Sequence, residues 1–94
     1  MKSEQDVREW LRGVERLPRR LSAAKAEQRA IETSIEDACR EFDTLTNSPV
    51  APEVMRLHYV DGLEWWKVAN AVNYSTRVVL RISADSVREL AERA

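Results

Sequence analysis

A chain of 94 residues has room for one domain with a modest core, or a compact unit with a helical extension. Apolar residues make up 44% and charged residues 33%, the balance of a folded soluble chain rather than a disordered one. With 15 basic and 16 acidic side chains the net charge is −1, which excludes a histone-like, purely electrostatic binder but not a local basic face.

The 2 glycines and 3 prolines leave few places to turn, and abundant Ala, Glu and Arg favour long helices. An all-α fold is expected: a long or kinked N-terminal helix over residues 1–46, a linker over 47–51, and a three-helix unit over 52–94. The single Cys39 has no internal disulfide partner, and neither it nor His58 has metal-spaced neighbours. A reducing cytoplasm is therefore expected, with no metal and no other cofactor. The opening MKSEQDVREW lacks the apolar core of a leader, and no run is long enough to span a bilayer, so no membrane partner is expected.

Helical signals begin at Ser3, which with Asp6 forms the pattern of a capping box. Apolar residues then recur at alternating steps of three and four: Val7, Trp10, Val14, Leu17, Leu21, Ala24, the polar Gln28, Ile31, Ile35, Ala38, Phe42 and Leu45. Such a stripe is either a core face or a coiled-coil seam, and the latter predicts a homodimer. A parallel pair would set Arg20 against Lys25 and Glu27 against Glu32, so an antiparallel pair, bringing Arg20 toward Glu41, is favoured. Pro18 falls in register within the stripe. It either kinks one helix running to Leu45, or marks the start of a second after an end near Leu17.

Asn47, Ser48 and Pro49 are turn formers, and Pro52 opens the next helix. Helices are expected at about 52–60, 63–72 and 75–93, joined by Asp61–Gly62 and Asn73–Tyr74. The last two meet the steric demands of a helix-turn-helix. Ala69 is small enough for a crossing, Asn73 accepts a positive φ, and Tyr74 can plug the wedge between the helices. Val79 and Ile82, continued by Ser86 or Val87 and Leu90, form a buried stripe, and Ser75 is a suitable N-cap. Trp65 belongs to the core. Trp66, about 100° further round, either packs on the N-terminal helix or stands exposed as a partner-binding anchor.

The segment MRLHYVDGLEWWKVANAVNYSTRVVLRISADSVREL resembles region 4 of bacterial sigma factors, through Leu57, Tyr59, Gly62, Leu63, Trp65, Val68, Ala69, Val72, Tyr74 and Ser75. The match covers residues 52–93. A helical segment ahead of such a unit is similar to small phage or prophage regulators of transcription. Glu64, Trp66 and Asn73 depart from the pattern, where a cap, a polar residue and a glycine are usual. From Val50 onward, six basic residues (Arg56, Lys67, Arg77, Arg81, Arg88, Arg93) meet six acidic ones (Glu53, Asp61, Glu64, Asp85, Glu89, Glu92).

The resemblance implies a sequence-specific regulator that binds double-stranded DNA. Arg77 and Arg81 would read guanine edges, and Thr76 a base or phosphate. Leu80 would touch a thymine methyl or a protein, while Lys67 and the helix start at Ser75 would hold phosphates. Two alternatives stand beside it: a protein-interaction module that binds a partner such as RNA polymerase, and a small DNA-packaging subunit. No residue pattern points to an enzyme.

Overall fold

The computed structural model describes residues 3–17 and 25–93. Among them are five helices and no strand: α1 (Glu4–Arg16), α2 (Lys25–Asp43), α3 (Ala51–Tyr59), α4 (Trp65–Val72) and α5 (Thr76–Ala91).

α1 starts where its capping box predicts. The Ser3 hydroxyl accepts the Asp6 N–H, and the Asp6 carboxylate accepts the Ser3 N–H, both at 3.2 Å. The helix stops at Arg16, and the Leu17 N–H closes a tight turn on the Val14 carbonyl at 3.1 Å. One continuous kinked helix to Leu45 is therefore not formed. Pro18 as the start of the second helix lies outside the described residues. So do Arg20, Leu21 and Ala24, and the side chains of Lys25, Glu27 and Gln28.

The inner face of α1 is Val7, Leu11 and Val14, all nearly inaccessible. Trp10, expected in the stripe, is 36% exposed and meets Phe42 edge-on at 5.9 Å. Leu11 takes its place because α1 lies across α5 and α3 as well as α2, and the broader contact selects the i+4 neighbour. On α2, Ala38 and Phe42 are buried, followed by Leu45 just past its end. These side chains join Val54 and Met55 of α3, Val68 and Val72 of α4, and Val79, Ile82, Val87 and Leu90 of α5 in one core. Much of the apolar stripe that suggested a dimer seam is thus covered by the chain's own later helices.

α3 is the hub, touching all four other helices, and α4 packs on α3 and α5. The α3–α4 turn uses Gly62 at φ 76°, a conformation that side chains resist. His58 braces this turn. Its Nδ1 lies 2.8 Å from the Leu63 carbonyl, its Nε2 lies 3.4 Å from the Glu15 carboxylate of α1, and its ring stacks on Trp65 at 3.6 Å. Burial raises the Tyr59 phenol above its ordinary pKa, and the Ser83 hydroxyl beside it offsets part of that shift.

The α2–α3 linker is held from a distance. The Glu89 carboxylate accepts the backbone N–H groups of Thr46 and Asn47 at 2.9–3.0 Å, together with the Thr46 hydroxyl and the Asn47 amide. Arg93 completes the cluster by bonding both Glu89 and Thr44. The buried Ser86 hydroxyl accepts a second bond from the Asn47 amide at 3.0 Å and donates to the Ile82 carbonyl at 2.8 Å. Burial pushes the Glu89 pKa upward. The bonds from the Asn47 side chain, from the Thr46 backbone and hydroxyl, and from the Asn47 backbone outweigh that and hold it below the ordinary value.

Candidate nucleic-acid interface

The geometry of α4 and α5 follows from the three residues between them. Asn73 adopts φ 61°, ψ 36°, the left-handed conformation expected of it, and ends α4. Its N–H and that of Tyr74 both return to the Ala69 carbonyl. Ser75 is then extended and caps α5, its hydroxyl accepting the Val78 N–H at 3.2 Å. The Ser75 side chain is therefore used in capping. What this end offers a ligand is the backbone N–H groups of Thr76 and Arg77, which have no partner among the described residues.

Apolar packing fixes how α5 is rotated. Val79, Ile82, Ser83, Ser86, Val87 and Leu90 face the core, a stripe at helical spacing. Thr76, Arg77, Leu80 and Arg81 consequently lie on the outside, with Leu80 44% exposed. No ion pair among the described residues involves Arg77 or Arg81. One helical turn separates these two guanidinium groups, so they lie on one face.

Lys67 and Trp66 are exposed on α4. The Lys67 ammonium lies 5.4 Å from the centre of the Trp66 ring, and the Trp66 indole N–H is donated to Glu64. Trp66 does not pack on the N-terminal helix: it is 53% exposed, because the inner face of α4 is already filled by Val68, Ala69 and Val72. Glu64 occupies the N-cap position without capping, its carboxylate turned to Trp66. Tyr74 is 40% exposed and does not plug the wedge between α4 and α5; Val72 and Val79 are the buried residues there. Among the described residues no hydrogen bond or ion pair joins the Trp66–Lys67 pair to the exposed face of α5.

Three further residues matter here. Arg88 extends the exposed side of α5 beyond Arg81, a continuation readable from its i+11 spacing to Arg77. Glu89, one of the six acidic residues of the second half, is turned away into the linker cluster. Asp85 pairs with Arg88 at 3.4 Å. The even charge count of the second half therefore understates how basic the outer face of α5 is. Neither Glu89's role nor the tie of His58 to Glu15 has a local signal, since those partners lie far along the chain. Among the described residues, no group of three metal-ligating side chains is present, and no helix is long and apolar enough to cross a membrane. The chain has no match among protein-family models, curated proteins or solved structures.

Proposed function

We propose that the chain is a sequence-specific, double-stranded-DNA-binding regulator of transcription, with α4 and α5 as a helix-turn-helix and α5 as the helix that enters the major groove. The observation that carries this is the division of α5. Its inner side is locked by Val79 and Ile82, while Thr76, Arg77, Leu80 and Arg81 project from its first turns with no fold partner to explain them. Exposed arginines such as Arg77 and Arg81 have the donor chemistry to pair bidentately with guanine. Lys67 supplies a phosphate contact that carries no sequence information.

Selection from random duplex DNA, followed by anisotropy titration at two salt concentrations, tests this. Lys67→Ala should weaken all duplexes alike and reduce the salt slope by roughly 0.9. Failure of the wild type to enrich or bind any duplex at low salt would refute it. The exposed Trp66 and Leu80 favour a second proposal, a protein-interaction module with a partner such as RNA polymerase. Binding of such a partner that Trp66→Ala abolishes, without any DNA affinity, would replace the first proposal by the second.

Self-association through the first two helices is also proposed. With Val7, Val14, Ile31, Ala38, Phe42 and Leu45 buried, the exposed Trp10 and the half-buried Leu17 and Ile35 are what the described part of the stripe leaves for it. Sedimentation at micromolar concentration decides between monomer and dimer.

A further inference from the structure

We infer that Arg88 grips a backbone phosphate at the edge of the groove that α5 enters, so that one stripe of arginines reads bases at one end and clamps the duplex at the other. This rests on the proposal that α5 binds double-stranded DNA.

Helical phase is the starting point. At 100° per residue, Arg77, Arg81 and Arg88 fall within about 40° of one another around the axis of α5. They therefore share a face, opposite the side that Val79 and Ile82 anchor. Along the axis, Arg88 lies about 10 Å beyond Arg81 and about 16 Å beyond Arg77. The major groove is only about 12 Å wide. With the first turns of α5 seated on base edges, Arg88 is carried out to the sugar-phosphate wall. Helical side chains lean toward their N-terminus, which brings the Arg88 guanidinium back toward that wall.

The use of the neighbouring charges supports this. Arg93, the other cation near the end of α5, is bound to Thr44 and Glu89 and belongs to the fold. Arg88 is 59% exposed, and its described charged partner is Asp85 on its own helix, at 3.4 Å. An exposed pair of that kind holds its members weakly, so a phosphate can displace the carboxylate. Asp85 then acts as a brake on affinity, lying on the edge of the stripe between Arg81 and Arg88.

The test is a salt series of anisotropy titrations, with a selected duplex and a scrambled one of equal length. The proteins are the wild type, Arg88→Ala, Arg88→Lys, Asp85→Asn and Arg40→Ala. The last removes one positive charge from α2, where Arg40 is exposed and paired with Asp37. Arg88→Ala should weaken both duplexes by the same factor, about three- to tenfold at low salt, and lower the log–log salt slope by roughly 0.9. Arg88→Lys should keep most of that slope, and Asp85→Asn should tighten both duplexes. Unchanged thermal melting will show that the variants remain folded.

Arg88→Ala behaving like Arg40→Ala, with an unaltered slope, overturns the inference while leaving the DNA proposal intact. A loss confined to the selected duplex also overturns it, because Arg88 would then be reading a base. Absence of wild-type binding to either duplex defeats the DNA proposal itself, and the inference with it.

Discussion

The two ends of α5 put polar side chains to opposite uses. At the C-terminal end, Ser86, Glu89 and Arg93 are drawn into the fold, tying Thr44, Thr46 and Asn47 of the linker to the helix. At the N-terminal end, Thr76, Arg77 and Arg81 face outward, and no ion pair among the described residues uses the two arginines. Polar groups committed to internal partners explain stability. Polar groups left outside without such partners are free to meet water or a ligand. On the proposed DNA-binding reading, the same helix separates structural from ligand-facing chemistry over about four turns.

The sharpest way to break this comparison is to disturb what both ends share. Ile82, 5% exposed and lying between them, belongs to the common core. Ile82→Ala should cost about 2–4 kcal/mol of stability in urea unfolding, and should depress binding only through unfolding. A loss of affinity at full native population would show that the two uses are not separable.

Glu89→Ala comes next. It leaves the Thr46 and Asn47 backbone donors without their acceptor and Arg93 with Thr44 alone, at a cost of about 1–3 kcal/mol. Affinity of the folded fraction for DNA should be unaffected. The pH dependence supplies a second readout. Because the folded pKa of Glu89 is lowered, its contribution is complete above the unfolded value near 4.5 and fades as pH falls through the folded value. Wild-type unfolding midpoints should drop across that acid range, and Glu89→Gln should flatten that part of the curve. An identical acid limb in the variant would remove Glu89 from the role assigned to it.

At the other end the signs reverse. Arg77→Ala and Arg81→Ala should each weaken binding to a selected duplex by about 1–3 kcal/mol and relax base preference. Their melting should shift by no more than about 0.5 kcal/mol equivalent, as is usual for exposed positions without a structural role. Strong destabilisation by either would move these arginines to the structural side. The smallest effect is expected at the junction. Asn73→Ala forces a Cβ without Asn's local compensation into the left-handed region and should cost about 1 kcal/mol, measured by thermal melting.

Local physics made much of this legible in the sequence: the Ser3–Asp6 box, the Gly62 turn, the left-handed Asn73 and the Ser75 cap are each decided within a few residues. The stripe of α5 was legible for the same reason, since helical period alone sorts Val79 and Ile82 inward and Arg77 and Arg81 outward. The N-terminal stripe shows the limit. Its spacing marks a buried face, but spacing is blind to what buries it, and α3 and α5 cover Val7, Val14 and Phe42 where a second chain was an equal expectation.

The sequence by itself determined the helical class, the places where helices start and turn, and the outward arginines of α5, because these depend on propensity, capping and period. Only the tertiary structure decided that Leu11 rather than Trp10 faces the core, that Trp66 and Tyr74 are left exposed, that His58 ties α1 to the α3–α4 turn, and that Glu89 is withdrawn from the charged surface. Each of these depends on contacts between residues far apart in the chain, whose geometry exists only once the helices have packed.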